Sequence, residues 1–370
     1  ILLDKHTDDA HDNPVISLDA AGYIWIFSTS HGTSRPSWIH RSARPWDISE
    51  FELIPARYSD GDQQHPITNF SYMQVWQTRP AGFQAFFTRY GAPAKRTLFY
   101  MRSADGVAWE GWQRLAAIEE GHYQVSGSGR TRTGTMFNYH PNGKGLNWRT
   151  NLYYMETANR GETWTNVNGE SLALPIVQVS NPALVHDYQS AGLNVYLKDL
   201  QYDDHDHPVL LYVTSRGYQS GPENNPRTWT IARWDGHAWQ IHEIGTSDNN
   251  YDTGELHLLA PDDWRLIGPT ITGPQPFNPG GEMSMWQSID RGGSWKQIRQ
   301  LTQSSSMNHN YARRVLNARP EFIALWADGH GRQPSESRLY FVDERGDVYR
   351  LPVQMDAETA LPERVEAVRP

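Results

Sequence analysis

A turn motif that recurs along this 370-residue chain constrains its fold more than any other feature of the sequence. Each copy carries a serine or threonine, then an aspartate or asparagine, a glycine and finally a tryptophan. The aspartate or asparagine side chain caps such a turn, and glycine supplies the positive φ that the turn needs. The copies span residues 103–109, 157–164 and 288–295, with a degenerate copy at 234–239. Because turn chemistry accounts for these residues, the motif predicts structure and does not mark an active site.

The spacing of this motif, the Asp-box, predicts the architecture. Its tryptophans lie at positions 109, 164, 239 and 295, which are 55, 75 and 56 residues apart. Short apolar segments separated by turn residues fit four strands for each copy. Four-stranded units repeated at this period are typical of an all-β fold, the β-propeller, in which each tryptophan packs between neighbouring sheets.

Six repeats can be assigned along the chain, five with four strands and the second with three. Their predicted strands are 15–19, 23–28, 38–41 and 51–54; 70–77, 83–88 and 98–102; 122–126, 133–139, 152–156 and one opening at Trp164; 193–202, 209–214, 229–234 and 239–244; 254–259, 264–270, 283–288 and 295–299; and 311–318, 321–327, 338–342 and 348–351. We predict a single propeller domain over residues 1–354 and a C-terminal tail over residues 355–370. A seven-bladed ring whose first blade is mostly missing from the chain is equally consistent with the short apolar strand at residues 1–5.

Composition excludes several classes of function. The net charge of −9 argues against a nucleic-acid groove, which needs a basic stripe. The chain has no cysteine for a disulfide or a thiolate metal site, and no run of about 18 apolar residues that would span a membrane. Its first residue is Ile1 and not methionine, as in the mature form of an exported protein or in a trimmed fragment. We therefore expect a secreted or periplasmic monomer, without nucleic-acid or membrane partners.

The loops at one end of the predicted blades carry the candidate functional residues. In a propeller, the loop before the first strand and the loop after the second strand open on the same face. Here these loops are rich in His, Tyr and Arg, and Asp12 and Asp328 are the only acids well placed to face a substrate. Our candidate substrate-binding residues are His31, Arg89, Tyr90, Asn138, Lys198, Tyr251, His309 and Arg313.

This balance of residue types separates three kinds of carbohydrate chemistry. A retaining or inverting glycosidase needs two carboxylates that face one bond. A sialidase needs three arginines, a tyrosine nucleophile and an aspartic acid. A uronate lyase needs a cation or donor that neutralises the C6 carboxylate, and a Tyr or His that takes the C5 proton and protonates the leaving oxygen. Groups of this last kind are offered, without a metal, by His122, His140, Tyr188, Tyr251 and Arg216.

Metal ligands are less evident. His205-Asp206-His207 has ligand residue types, but it lies between two strands of the fourth repeat, where we expect an Asp-rich solvated turn. His11 and Asp12 could bind a cation, although no spacing enforces it. We expect that no cofactor is required and that no metal takes part in catalysis, and leave open a structural divalent cation.

Several segments together resemble the BNR-repeat propeller proteins, a grouping that includes ulvan lyases and related rhamnose–glucuronate lyases. The resemblance covers nearly the whole chain. It rests on His11-Asp12-Asn13-Pro14-Val15-Ile16, His31-Gly32-x-x-Arg35-Pro36, Gly121-His122-Tyr123-Gln124-Val125-Ser126, Phe137-Asn138-Tyr139-His140 and Trp326-Ala327-Asp328-Gly329-His330-Gly331.

This resemblance implies a seven-bladed propeller with a His/Tyr/Arg cleft that acts by β-elimination on an anionic polysaccharide or oligosaccharide. His122 and His140 look like the family's paired histidines, and Tyr188 looks like its catalytic tyrosine. Tyr188 would then be base and acid, assisted by His122. Arg216, with Lys198 as the competitor, would hold the carboxylate together with His140. Two alternatives remain at this point: a hydrolase of the sialidase or rhamnosidase type, and a non-catalytic glycan-binding propeller.

Overall fold

The computed structural model describes residues 2–6, 9, 11, 13–29, 31–32, 36–78, 82–91 and 94–365. The chain divides into two compact units, Ile1–Asp187 and Tyr188–Pro370, and each contains three sheets. The described residues form 27 strands and a single short 3-10 helix, Pro222–Asn224. The prediction of an all-β protein built from six β-propeller blades is therefore confirmed.

The first unit contains three sheets whose strands follow one another in sequence. The first sheet consists of β1 (Pro14–Leu18), β2 (Ile24–Ser28), β3 (Trp38–Ser42) and β4 (Phe51–Ile54). The second consists of β5 (Arg57–Asp60), β6 (Gln63–Pro66), β7 (Ser71–Gln77), β8 (Phe83–Tyr90), β9 (Arg96–Ser103) and β10 (Ala108–Ala116). The third consists of β11 (Gln124–Ser128), β12 (Thr133–Tyr139), β13 (Thr150–Thr157) and β14 (Leu184–His186).

The second unit repeats this pattern. Its first sheet consists of β15 (Asn194–Tyr202), β16 (Pro208–Ser215), β17 (Arg227–Trp234) and β18 (Trp239–Ser247). Its second consists of β19 (Glu255–Ala260), β20 (Asp263–Ile271), β21 (Glu282–Ser288) and β22 (Lys296–Gln300). Its third consists of β23 (Asn308–Arg319), β24 (Phe322–Gly329), β25 (Leu339–Val342), β26 (Val348–Arg350) and β27 (Glu363–Val365).

The Asp-box residues form the predicted turns. Asp105 Oδ1 accepts hydrogen bonds from the backbone N–H groups of Val107 and Ala108, both at 2.9 Å. Ser103 Oγ accepts a hydrogen bond from Gly106 N at 2.8 Å. Trp109, only 1% exposed, belongs to a core that the first and second sheets share. The motif is therefore structural, as predicted.

Three features of the sheets differ from the prediction. The strand expected to open at Trp164 does not form, because the Asn166 side chain accepts hydrogen bonds from the N–H groups of Asn168 and Glu170 and reverses the chain. The fourth strand of that sheet is β14, some twenty residues later. The β5–β6 hairpin was not predicted, although Asp60-Gly61 is a hairpin signal. Within the predicted tail, β27 pairs with β26.

Gly161 gives a direct test of the Asp-box turn. Its φ is +82°, and a Cβ added there would lie 2.3 Å from Cε1 of Tyr100. Gly169 has nearly the same φ, +80°, with nothing within 4 Å of an added Cβ. Left-handed backbone costs an alanine about 1–2 kcal/mol, and overpacking adds about 1–3 kcal/mol. Urea unfolding should therefore show that Gly161→Ala destabilises the protein by about 1–3 kcal/mol more than Gly169→Ala. Equal effects would contradict the packing assigned to this turn.

Candidate functional site

The functional side chains of the first unit gather at one end of its strands. They lie after the end of β2, at the start of β7, at the end of β8, at the start of β9, and beside the start of β11, the end of β12 and the start of β13. We call this set the His/Tyr/Arg cluster, and its members are His31, Tyr72, Tyr90, Arg96, Tyr123, His140 and Arg149. Two of them, His31 and Tyr90, were predicted as substrate-binding residues, and His140 was predicted as catalytic. Their convergence confirms that these loops share one end of the sheets.

Tyr72 lies at a β-bulge in β7, where the register with β8 shifts between Ser71 and Gln74. Its φ is +54°, a conformation that is strained for a residue other than glycine. The bulge directs its hydroxyl to within 3.2 Å of His31 Nε2 and 3.3 Å of the Tyr90 hydroxyl. Burial, assisted by the neighbouring phenol of Tyr123, raises the pKa of Tyr72 well above its usual value. Tyr72 therefore keeps its proton at neutral pH.

His31 and Arg96 both contact the Tyr90 hydroxyl. His31 Nε2 lies 2.8 Å from this oxygen, and its Nδ1 lies 2.7 Å from Oδ2 of Asp9. Arg96 donates its Nε–H to the same phenol oxygen at 3.2 Å. Since Arg96 can only donate, the Tyr90 O–H is left to point at the imidazole.

Tyr123 lies between two guanidinium groups. The Cζ atom of Arg149 is 4.1 Å from the ring centroid, and that of Arg96 is 5.0 Å away. The His140 ring meets the same phenol edge-on at 5.2 Å between centroids. This half-buried tyrosine therefore combines a proton-carrying hydroxyl with two cations, the groups that uronate chemistry needs.

His140 is fully buried, and its state corrects the role predicted for it. Its Nδ1 donates to the carbonyl of Trp148 at 3.1 Å, while Nε2 has no hydrogen-bond partner in the described part of the chain. Burial, together with the charges of Arg149 and Arg96, lowers the pKa of His140 to about 3. The role predicted for His140 was to hold the substrate carboxylate. The neutral ring can accept a hydrogen bond at Nε2, but it has neither the charge nor a spare N–H for that role.

His122 does not reach the surface, contrary to the direct catalytic role predicted for it. Its Nδ1 donates to the carbonyl of Asn138 and its Nε2 accepts from Ile118 N, both at 2.8 Å. Burial lowers the pKa of His122 to about 4, so the ring is neutral. Its backbone N–H donates to the carbonyl of Arg96 at 3.0 Å. His122 therefore fixes the loop that carries Tyr123 against the strand that carries Arg96.

Asn138 and Gly121 complete this loop. Asn138 was predicted to bind substrate, but it is fully buried. Its Oδ1 accepts a hydrogen bond from Tyr123 N at 3.2 Å, so its role is to position Tyr123. Gly121 has a φ of +106°, and a Cβ there would lie 2.1 Å from the carbonyl oxygen of Arg96. Only glycine allows the two backbones to approach this closely.

Arg89 was predicted to bind substrate, but it lies on the other face of its sheet. The reason is that side chains alternate between the two faces along a strand. Tyr90 points into the cluster, so its neighbour Arg89 points to the opposite face of β8. The Arg89 guanidinium lies over the Trp112 ring at 5.0 Å and over the Phe99 ring at 5.8 Å. It therefore packs on aromatic rings and does not line the site.

The second unit brings together three of the predicted residues around Asn250. Lys198 donates to the Asn250 carbonyl at 2.8 Å, and the Asn250 amide donates to the carbonyl of Gly217 at 2.9 Å. The buried Asn250 side chain therefore joins two loops. One loop carries the exposed Arg216 and the other carries the exposed Tyr251. Their proximity supports a shared role, and their predicted contact with substrate stays a prediction.

Tyr188, His309 and Arg313 are engaged within the second unit. The hydroxyl of Tyr188 lies 2.5 Å from that of Tyr212, and burial raises the pKa of Tyr188 to about 12. His309 is buried with Nε2 at 2.9 Å from Ser305 Oγ, and its Nδ1 accepts from the Trp326 indole at 3.0 Å. His309 is therefore structural and not substrate-binding. Arg313 Nη1 pairs with Glu255 at 2.7 Å but remains half exposed.

The predicted catalytic residues are divided between the units. His122 and His140 belong to the first unit, and Tyr188 and Arg216 belong to the second. That all four face one sugar stays a prediction. The sequence reasoning missed Arg96 and Arg149 because it considered only the loops around the first two strands of each sheet. Both residues lie where a third strand begins, at the same end.

Asp9, His11 and His31 are the described residues whose ligand atoms come close enough together for a metal ion, within 4.8 Å of one another. Nδ1 of His11 lies 2.6 Å from Oδ1 of Asp9, and Nδ1 of His31 lies 2.7 Å from Oδ2. Adjacent ligands around a tetrahedral zinc ion would be about 3.3 Å apart, given metal–ligand bonds of roughly 2.0–2.1 Å. These spacings are those of hydrogen bonds, so we assign the three side chains to hydrogen bonding.

One other predicted site, the His-Asp-His turn of the fourth repeat, can be located. At 203–207, Asp203 Oδ1 accepts hydrogen bonds from the N–H groups of His205 and His207, which confirms an Asp-capped turn. Asp12 and Arg35 lie outside the described residues. That no cofactor is required stays a prediction. Among the helices of the described chain, none has the length and apolar character to cross a bilayer.

A groove of about 530 Å³ lies at the other end of the strands and is lined in part by Gln113, Trp164 and Leu172. Trp164 belongs to the Asp-box that follows β13, whereas Arg149 precedes this strand. The groove therefore does not belong to the His/Tyr/Arg cluster.

The buried histidines predict a pH-dependent stability. His122 has a pKa of about 4 in the folded protein and an ordinary value of 6.5. The unfolded chain thus takes up a proton between these values, so stability is present above pH 6.5 and is lost as the pH falls towards 4. For His122 the loss between pH 7 and pH 5 is on the order of 2 kcal/mol. Urea unfolding at the two pH values measures it.

Matched variants isolate this effect. Glutamine in His122→Gln can donate to Asn138 and accept from Ile118 without titrating, so this variant should lose less stability on acidification than the parent. His186→Gln changes an exposed histidine of the same unit and should retain the parent's pH dependence. An unchanged pH dependence in His122→Gln would contradict the assignment.

Comparison with known proteins agrees with the sequence resemblance. A family model described as a BNR repeat-containing family member matches residues 2–247. An ulvan lyase of Alteromonas sp. (strain LOR) is 24% identical, over 92% of this chain and 73% of that protein. An ulvan lyase of the PL25 family from Pseudoalteromonas sp. (strain PLSV) is 23% identical, over 96% of this chain and 75% of that protein.

A solved PL25 ulvan lyase structure matches with a TM-score of 0.72 at 20% identity, over 91% of this chain and 80% of the other. A structure of such a lyase bound to -[GlcA(1-4)Rha3S]- matches with a TM-score of 0.71. These likenesses show a shared fold. Since the family model matches well over half of the residues, this chain is a member of the BNR repeat-containing family.

Proposed function

We propose that the protein is a polysaccharide lyase that cleaves a rhamnose–uronate linkage by β-elimination. The observation that carries this proposal is the His/Tyr/Arg cluster, in which three phenols and two guanidinium groups lie side by side. The similarity to proteins named ulvan lyases supports it, as does the likeness to a structure bound to a glucuronate–rhamnose 3-sulfate unit.

The cluster supplies each group that the elimination requires. The C5 proton of a uronate becomes acidic once the C6 carboxylate is neutralised, and Arg149 with Arg96 beside Tyr123 offers the cations for this. A phenol then takes the C5 proton, and a phenol protonates the O4 atom of the departing sugar. The C5–H electrons form the C4=C5 double bond while the C4–O4 bond breaks, so that no covalent intermediate is needed.

Hydrolysis fits this site less well. A glycosidase places two carboxylates across one bond, whereas the carboxylate of Asp9 is shared by His11 and His31. Glu119 and Glu120 lie on the loop before Tyr123, but Glu119 accepts from Asn142 N at 2.6 Å and Glu120 pairs with Lys95 at 2.9 Å. Both acids thus serve the loop.

The substrate class also bears on where the protein acts. An anionic polymer does not cross a lipid bilayer, so its lyase has to meet it outside the cytoplasm. This supports the expectation of a secreted or periplasmic enzyme that acts on a polysaccharide or oligosaccharide.

Lyase activity is tested by incubation with ulvan. The new C4=C5 bond is conjugated with the carboxylate, so the product should absorb ultraviolet light as it forms. Tyr90→Phe and Arg149→Ala should each lower kcat/KM by about 100-fold or more. Tyr23→Phe is the matched control, because Tyr23 is also half-buried under an arginine, Arg41 at 4.8 Å, but at the opposite end of its strand. It should change kcat/KM less than twofold.

The other outcomes identify the alternatives. New reducing ends without ultraviolet absorbance would show a hydrolase. Binding of ulvan without turnover, unaffected by Tyr90→Phe, would show a glycan-binding propeller.

Tyr188 and Arg216 are tested separately, because their role is carried by the resemblance. If Tyr188 moves a proton, Tyr188→Phe should lower kcat by about 100-fold or more and leave KM nearly unchanged. If Arg216 binds the carboxylate, Arg216→Gln should raise KM, whereas Arg319→Gln, which changes another exposed arginine of the same unit, should not. Full activity in both Tyr188→Phe and Arg216→Gln would restrict the catalytic groups to the first unit.

A further inference from the structure

We propose that His31, held by Asp9, is a positioning residue that passes one proton between two tyrosines of the site. Tyr90 is the phenol that takes the C5 proton, and Tyr72 is the phenol that protonates the leaving oxygen. This inference rests on the proposed lyase function and assigns the proton-transfer groups within it.

The hydrogen bonds of His31 set the direction of transfer. Its Nδ1 faces the Asp9 carboxylate at 2.7 Å, so Nδ1 carries the ring proton and Nε2 is the acceptor. This Nε2 lies 2.8 Å from the Tyr90 hydroxyl and 3.2 Å from the Tyr72 hydroxyl. The two hydroxyls are 3.3 Å apart. A single imidazole lone pair is therefore within reach of both phenols.

The surroundings of the two phenols differ. Arg96 donates its Nε–H to the Tyr90 oxygen, and its guanidinium also lies over the Tyr90 ring at 5.1 Å. A negative charge on this oxygen would thus lie directly against a cation. The Tyr72 hydroxyl lies among His31, Tyr90 and the ring of Tyr123, and burial raises its pKa. Tyr90 is therefore suited to act as the base and Tyr72 as the acid.

Asp9 supports the imidazolium that forms during transfer. Burial raises the pKa of Asp9, but hydrogen bonds from His11 and His31 outweigh this effect and hold it well below its usual value. The carboxylate is thus ionised when His31 receives a proton. Among the described residues, the charged and titratable groups that contact Asp9 and His31 include His11 from the N-terminal segment, Tyr72 from β7 and Tyr90 from β8, with Arg96 from β9 on the Tyr90 hydroxyl.

The proton balance closes without a further reactant. The Tyr90 proton passes to His31 Nε2, and the Tyr90 oxygen then takes the C5 proton as the C4=C5 bond forms. The C4–O4 bond breaks, and O4 takes the proton of Tyr72. His31 returns its proton to Tyr72, so the enzyme is restored and the net change is transfer of the C5 proton to O4.

His11 provides a matched control for His31. It contacts the same Asp9 carboxylate and stacks on His31 at 4.2 Å between ring centroids, but its ring meets Tyr72 only edge-on at 6.0 Å. With ulvan as substrate, His31→Gln should lower kcat about 100-fold or more, change KM less than twofold and remove the acid limb of the pH dependence of kcat. Asp9→Asn should lower kcat at least tenfold. His11→Gln should leave kcat and the pH dependence within twofold of the parent.

A second measurement does not depend on turnover. Nitrogen-15 NMR of the histidine rings should show His31 as the Nδ1–H tautomer in the parent protein and a changed tautomer or protonation in Asp9→Asn. A parent protein inactive on uronate polymers would end the lyase proposal, and the NMR result would still decide whether Asp9 and His31 are coupled as described.

Three results would overturn the relay. One is a His31→Gln variant with the parent's kcat and pH dependence. Another is a parent His31 protonated at Nε2 and not at Nδ1. The third is loss of activity in a chelator with recovery on adding Zn²⁺, which would place a metal at Asp9, His11 and His31.

Discussion

Aromatic packing between neighbouring sheets is the interaction on which the site depends. In the first unit, Phe83 meets Trp25 at 5.3 Å and Trp109 at 6.3 Å between ring centroids. Phe86 and Trp164 meet at 5.9 Å between the second and third sheets. Each such pair contributes roughly 0.5–1.5 kcal/mol beyond its buried area. Because these contacts fix the body of each sheet, the strand ends can hold groups that do not favour folding by themselves, such as Tyr72 at a φ of +54°.

The buried loop that contains His122 connects the rigid sheets to the side chains of the site. The N–H of His122 donates to the carbonyl of Arg96, while the His122 ring bonds the carbonyl of Asn138 and the N–H of Ile118. The loop that ends at Tyr123 is thus fastened on both sides. Arg96 reaches Tyr90 and Tyr123 from a backbone that cannot shift relative to either. A buried histidine whose ring lies outside the site therefore determines where a cation and a phenol meet.

The sequence predicted the sheets well because their signals are local. Alternation, turn residues and the Asp-box located most strands, and the failure after Trp164 has a local cause in the capped turn at Asn166. The roles of single residues were predicted less well, because burial depends on tertiary packing. His122 and His309 lie at strand ends, where catalytic residues are often found. In both, however, each ring nitrogen already has a hydrogen-bond partner within the protein. The argument that selected candidate residues used only the loops around the first two strands of each sheet. It would also have selected Arg96 and Arg149 if it had included the start of the third strand.

The proposed uronate substrate accounts for the use of phenols instead of carboxylates at this site. At 4 Å and an effective dielectric constant of 20, a carboxylate base would be repelled by the substrate carboxylate by about 4 kcal/mol. A phenol is neutral until it acts, so it carries no such penalty on binding. Asp9 still contributes its charge, but from behind the imidazoles of His11 and His31, where it can stabilise a transferred proton. In the proposed mechanism, this arrangement keeps negative charge away from the substrate, while the Asp9 carboxylate still stabilises the proton that is transferred.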